Sequence, residues 1–300
     1  MDKRISNLQQ IASIRKYVFT DGKEKDLEVI DCDNGKIRFL INVSKACDIM
    51  QLYHEGTNVS FISKNGFTKR EVPFINRFEG GMMYTCGLES IGAREGFDLH
   101  GSFHNIPAQI ARSECNEQGI IVEGKIAYTA LFGQNLVIYR KIYSALGSNS
   151  VSIEDTLVNE GFKDEQYCAL YHVNVGYPML DDGAKIEADV VSCVPRTAWA
   201  KEIQSSLLDV IMPENDMEEV CYFLKMKKPE ISVSNAKLGK KLTVKYSDDT
   251  LTNFIMWKSM ASGDYALGLE PATADLDDGF CYKIIKPQQK IKHFVEISVE

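Results

Sequence analysis

Through most of this chain, apolar residues come in short runs separated by turn formers, and the runs alternate apolar with polar positions as half-buried strands do. Runs of this kind cover residues 36–43, 59–63, 119–128, 136–145, 151–158 and 167–175, and then 220–226, 241–246, 253–257, 265–269, 280–285 and 291–299. Asn65-Gly66 is a strong turn signal after the second run, and Leu146 to Ser150 reads as the short loop of a hairpin. The N-terminus differs. Ile5, Leu8, Ile11, Ile14 and Val18 recur at three- and four-residue steps, which predicts an amphipathic helix over residues 1–20, capped by Ser6 or Asn7. Many short strands without a regular strand–helix alternation predict an all-β chain, a large antiparallel sandwich or barrel. With no internal repeat and no linker-like segment, the simplest division is the helix at 1–20 packed on one β domain at 21–300.

Three segments place chemistry on this pattern. Around His172, alternation puts Leu170, His172, Asn174 and Gly176 on one face and Ala169, Tyr171, Val173 and Val175 on the other. One face is therefore polar, as a wet concave sheet surface would be; the alternative is a structural histidine satisfied by a neighbouring carbonyl. Glu270 follows the apolar run Tyr265 to Leu269 and precedes Pro271, which interrupts regular strand pairing. Partial burial there raises a carboxyl pKa and suits a general base, whereas the plainer alternative is a strand-end ion pair. His100 and His104 have the spacing of helical metal ligands, but Gly101 and Pro107 argue against a helix and no third ligand lies nearby. A loop offering imidazoles to a polar ligand is the preferred reading. Arg77 sits among aromatics and next to Gly80-Gly81, where it can project donors into a pocket. Cys86 in the same stretch carries no mark of an activated thiol. Trp257, Trp199 and Tyr177 are aromatic faces that stack on sugars or simply fill the core.

Composition narrows the function classes. A net charge of −8 over 300 residues lacks the basic face a nucleic-acid binder needs. No apolar stretch is long enough for a membrane-spanning helix, and the start of the chain does not read as a secretion signal. The eight cysteines are scattered singly, so reduced thiols in a cytoplasmic protein are expected. The phosphate-loop pattern is missing.

Five segments, in order, give the chain a family likeness: FINRFEGGMMYTCGL (74–88), DLHGSFHNIPA (98–108), EDTLVNEGF (154–162), LYHVNVGYPML (170–180) and MWKSMASGDYALGLEPAT (256–273). The chain resembles the aldose 1-epimerase (galactose mutarotase-like) superfamily, and within it the DUF4432 branch. The resemblance implies a β-supersandwich fold and a mutarotase, an isomerase that interconverts sugar anomers by acid/base ring opening without cofactor or metal. It implies that His172 protonates the ring oxygen and Glu270 takes the proton of the anomeric hydroxyl. It implies sugar-binding roles for Asn76, Arg77 and His100, to which His104, Asn174 and Trp257 are added as neighbours. The expected partner is a small carbohydrate, not nucleic acid or membrane, with a homodimer left open. Two departures stand out: the acidic residue that grips sugar hydroxyls in mutarotases has no counterpart in the motifs, and His104 lies outside the general pattern. A non-catalytic sugar-binding or sensor protein is the alternative. A glycoside lyase or hydrolase ranks below it, because hydrolases usually need two carboxylates.

Overall fold

The computed structural model describes residues 3–277 and 282–300. Five antiparallel strands form a small sheet in chain order: β1 (Ser13–Val18), β2 (Glu28–Asp33), β3 (Ile37–Asn42), β4 (Asp48–His54) and β5 (Thr57–Asn58). Thirteen more form a second, antiparallel sheet: β6 (Met83–Leu88), β7 (Gln109–Asn116), β8 (Gly119–Thr129), β9 (Asn135–Ala145), β10 (Ser150–Asn159), β11 (Glu165–Gly176), β12 (Lys185–Pro195), β13 (Val220–Asn235), β14 (Lys240–Tyr246), β15 (Asn253–Ser259), β16 (Ala266–Ala272), β17 (Lys283–Ile285) and β18 (Lys290–Val299). Its main path runs β17-β11-β16-β15-β13-β14-β18-β10-β9-β8-β7, with β6 beside β11 and β12 beside β13. Two one-turn α-helices, α1 (Phe74–Arg77) and α2 (Ala198–Glu202), interrupt the strands.

The architecture is the large all-β sandwich expected, and the hairpin of β9 and β10 lies where it was predicted. The N-terminal segment departs from expectation. It is a single 3-10 turn, Leu8–Gln10, capped by Asn7, followed by β1. Six residues of β1 pair with β2, and Ile11 and Val18 are exposed, so the helical spacing marks no common buried face. Long-range pairing with β2 overrides a weak local periodicity, as β-branched Ile14 and Val18 allow. Residues 59–63 form isolated bridges rather than a strand, Ser60 to Val175 and Ile62 to Gly80. The strand expected at 280–285 is described only as β17; Phe280 and Cys281 lie outside the described residues.

The inner core joins both sheets. Ile30, Phe39 and Ile41 of the small sheet pack with Val122, Ile153, Val173, Val233, Leu269 and Ile297 of the large one. Each such side chain, fully buried, contributes ~1.5–3 kcal/mol. At one side of this core lies a buried ionic cluster. Arg140 donates to Asp48, Asp155, Thr85 and the Ala46 carbonyl, while the Tyr171 hydroxyl donates to Asp155 at 2.7 Å. The alternation along β11 is as the sequence indicates. Tyr171, Val173 and Val175 enter the inner core, and Leu170 and His172 face the other way.

Candidate functional site

On that other face, β11, β16, β15 and β13 floor a cavity of about 590 Å³. His172 of β11 and Glu270 of β16 meet at its base. The register on either side, Leu170 with Ala272 and Val173 with Leu269, sets the two residues across from each other on neighbouring strands. His172 Nε2 stands 3.2 Å from Glu270 Oε1. The approach is not aligned as a hydrogen bond, and among the described residues Glu270 Oε1 and His172 Nδ1 have no hydrogen-bond partner. Glu270 lies inside its strand rather than at its end, because β16 continues two residues past it through Pro271 to Ala272.

The surroundings are dry and aromatic rather than wet. His172 is 4% and Glu270 1% exposed. The His172 ring has Phe78 at 5.5 Å, Trp257 at 5.6 Å and His100 at 5.7 Å between centroids. Burial, reinforced by the charge of Glu219, pushes the Glu270 carboxyl well above its ordinary range. Burial, reinforced by His100, pushes the His172 imidazole well below its own. Burial therefore favours the neutral form of both groups. Gly268 makes this packing feasible: a Cβ there would stand 2.3 Å from Glu270 Oε1 and 3.0 Å from His172 Cε1.

His100 also lines the cavity, from the loop after β6. Its Nδ1 lies 2.7 Å from the Ile91 carbonyl, so the neutral ring carries its proton there and leaves Nε2 as an acceptor. Its pKa is pushed down to about 4, chiefly by burial. Trp257 contributes its ring and donates from Nε1 to Glu219 Oε2 at 2.6 Å.

Of the remaining candidates, none lines the cavity. Asn76 is exposed on α1. Arg77 is buried, but turns to the Val72 carbonyl and the Asp98 carboxylate, tying two loops together. Asn174 is wholly buried and donates to the carbonyl of His172 at 2.9 Å. His104 belongs to the ionic cluster on the other side of β6. Its Nδ1 is 2.6 Å from Asp48 Oδ2, its Nε2 2.9 Å from Glu79 Oε1, and its ring stacks on Tyr84. Among the described residues no group of three or more His, Cys, Asp or Glu side chains is arranged to hold a metal ion.

Several polar lining residues were not singled out as candidates from the sequence, Arg196, Glu219, Lys64 and Asp264 among them. Arg196 follows the end of β12 and Glu219 immediately precedes β13, and neither carries a local mark of function. Arg196 donates from Nε and Nη2 to the two oxygens of Asp277 at 2.8 and 2.9 Å. Glu219 supplies an acidic group whose charge acts on Glu270, and Asp264, from the last of the quoted motifs, lines the cavity as well.

The model of one family, described as a domain of unknown function (DUF4432), matches residues 24–278. The chain belongs to the DUF4432 family. No curated protein matches. Among solved structures, the chain resembles a candidate aldose 1-epimerase from Klebsiella pneumoniae subsp. pneumoniae, with a TM-score of 0.86 at 19% identity over 98% of this chain and 86% of that one. It resembles a galactose mutarotase-like protein from Clostridium acetobutylicum, with a TM-score of 0.75 at 12% identity over 97% and 99% of the two chains. It also resembles a candidate mutarotase, YeaD, from Salmonella typhimurium, with a TM-score of 0.69 at 12% identity over 98% and 95%. This DUF4432 chain therefore has the galactose mutarotase-like fold.

Proposed function

We propose that this DUF4432 protein is an aldose 1-epimerase-type isomerase, interconverting the anomers of a sugar through its open-chain aldehyde. The observation that carries the reading is the His172–Glu270 pair, 3.2 Å apart on adjacent strands at the base of a cavity. Ring opening needs an acid at the ring oxygen and a base at the anomeric hydroxyl. Both oxygens are bonded to one carbon, so the two groups must converge as these do.

The base takes the anomeric hydroxyl proton, the electrons left on that oxygen form the aldehyde C=O, and the bond from the anomeric carbon to the ring oxygen breaks. The ring oxygen leaves with the proton of the acid. Rotation about the next carbon–carbon bond and closure on the other face regenerate the ring. The family likeness puts Glu270 in the base role for opening. Burial of the two groups favours the opposite starting state, with the proton on Glu270 and His172 neutral. Opening from that state leaves Glu270 ionised and His172 protonated, which is the state in which Glu270 is base and His172 acid for closure. Each turnover returns both protons, so no cofactor takes part. Trp257 offers a face for the sugar, and His100 Nε2 and Glu219 accept from its hydroxyls.

NMR exchange between anomers tests the reading. Glu270→Gln and His172→Asn each lower the enzyme-catalysed rate by ~10²–10⁴-fold, the usual weight of a general acid or base. Full activity in both variants rejects the assignment. Selective sugar binding without any rate enhancement in the unmodified protein favours a sensor instead.

A further inference from the structure

We infer that the cavity takes an uncharged reducing saccharide larger than one ring, its reducing end at His172 and Glu270 and the remainder against an aliphatic rim formed by Ile75, Leu99 and Leu276. The inference deepens the proposed function and takes its placement of the reducing end from it.

Charge is the first observation. The lysine and the arginine that line the cavity are both already paired. Arg196 makes a two-pronged contact with Asp277, and Lys64 lies 2.7 Å from Asp264. A fork-on-fork arginine–carboxylate contact is among the stronger ion pairs, so a phosphate or carboxylate on the ligand would have to displace Asp277. The carboxylates of Glu219 and Asp264 face the same space and repel an anion. The histidines do not compensate, since burial holds both lining imidazoles neutral. A sugar phosphate or a uronic acid therefore meets no unpaired cation among the described residues.

Size and rim chemistry are the second. A cavity of about 590 Å³ falls in the range that encloses drug-sized ligands, ~300–1,000 Å³, which is more than a single hexose fills. The aromatics cluster round the catalytic pair, with Phe74 5.0 Å from His100 and Phe61 6.5 Å from Trp257 between ring centroids. The rest of the lining mixes polar with aliphatic side chains, the latter including Ile75, Leu99 and Leu276. Ile75, on α1, is 76% exposed and Leu99, beside His100, is 37% exposed, although both border the cavity. Gly92 lets the loop close on Leu276: a Cβ there would stand 2.7 Å from the Leu276 carbonyl oxygen. Large aliphatic side chains held open to water at the mouth of a cavity mark a surface that a ligand covers. The apolar face of a second ring provides that cover.

The test compares glucose and galactose with cellobiose, maltose and lactose, and with glucose 6-phosphate and glucuronic acid. Anomer exchange is read by NMR, and binding by calorimetry on Glu270→Gln. At least one reducing disaccharide shows a KM about tenfold below that of its monosaccharide, and the two anionic sugars show kcat/KM at least about tenfold below that of glucose. In Ile75→Ser and Leu99→Ser the disaccharide loses more affinity than the monosaccharide, so the preference narrows. Equal handling of one and two rings, a preference for the anionic sugars, or no binding of any saccharide in the panel overturns the inference. Selective binding of a disaccharide with no acceleration of anomer exchange leaves it standing and rejects the proposed isomerase instead.

Discussion

Gly268 and Glu270 share one face of β16, and a methyl group on Gly268 would come to 2.3 Å from the Glu270 carboxylate oxygen. The added methyl would also meet His172 Cε1 at 3.0 Å and the Trp257 Cβ at 3.2 Å, so it crowds both members of the pair. Gly268→Ala therefore displaces the reacting carboxylate more than it disturbs the core. Anomer exchange by NMR is expected to fall by ~10²-fold, the effect of misplacing a reacting group by about 1 Å. The thermal midpoint moves far less than in a core-truncation variant. An alanine enzyme of normal rate would mean that the position of Glu270 does not limit the reaction.

The pH dependence of kcat/KM follows from the two opposed shifts. An exposed Glu and His would bracket an active one-proton window between about 4.3 and 6.5. Here the Glu270 carboxyl is raised and the His172 imidazole lowered, both mainly by burial. The form carrying its single proton on Glu270 is lost at the acid side only when His172 protonates, well below 6.5, and at the alkaline side only when Glu270 ionises. The acid limb accordingly belongs to His172 and lies below the ordinary histidine value, and the alkaline limb belongs to Glu270 and lies above the ordinary carboxylate value. A profile whose acid limb sits at the ordinary carboxylate value and whose alkaline limb sits at the ordinary histidine value, each removed by substituting that residue, contradicts this protonation scheme.

The same burial makes Glu270 costly to the fold. A carboxyl whose folded pKa is raised binds its proton more tightly in the folded state, so stability falls as pH rises from about 4.3 through the folded pKa. Glutamine has no such titration. Glu270→Gln is expected to unfold at a higher temperature than the parent at neutral pH while losing its activity, a trade frequent at functional sites. Equal midpoints for the two proteins across pH 4 to 8 would show that burial of Glu270 carries no such cost.

The strand's two-residue period, being local, marked His172 and Glu270 as candidates, but each kept a structural alternative, and only the family resemblance paired them. Arg77 and His104 misled for the same reason. Their aromatic and glycine-rich surroundings are real, but they turn to Asp98, and to Asp48 and Glu79, which lie far from them in sequence. Arg196 and Glu219 reach the cavity only because β12, β13 and β15 are neighbours in the sheet, an ordering that no local pattern encodes. The N-terminal segment shows the limit from the other side, since its three- and four-residue spacing is sound and its hydrogen bonds nevertheless go to β2.

His104 gives a separate pH signature. Burial works to lower its pKa, but the Glu79 and Asp48 carboxylates on its two nitrogens outweigh burial and raise it. The folded state then holds a proton that the unfolded chain releases near 6.5. This stabilisation is complete below 6.5 and is lost as pH rises through the folded value. Urea denaturation of the parent and of His104→Gln should give a stability difference that shrinks as pH is raised from 6 upward. A difference that grows over that range would reverse the assigned sign.

Arg140 is the member of this cluster whose loss costs most. It is 1% exposed, and all five of its N–H groups are used: two on Asp155, and one each on Asp48, Thr85 and the Ala46 carbonyl. Asp48 accepts in addition from the Thr85 amide and hydroxyl and lies 2.6 Å from His104 Nδ1, and Asp155 accepts from Tyr171. Removing the guanidinium strands the buried Asp155 carboxylate and takes one of two cationic partners from Asp48, so Arg140→Met should cost ~3–5 kcal/mol in urea denaturation. Lysine restores the charge but not the five-donor fork, and should recover only part of that loss. Because the stranded Asp155 charge accounts for part of the cost, Arg140→Met combined with Asp155→Asn should be less destabilised than the sum of the two single changes, by roughly 0.5–3 kcal/mol. Strict additivity would mean that Arg140 and Asp155 contribute independently, contrary to their two-pronged contact.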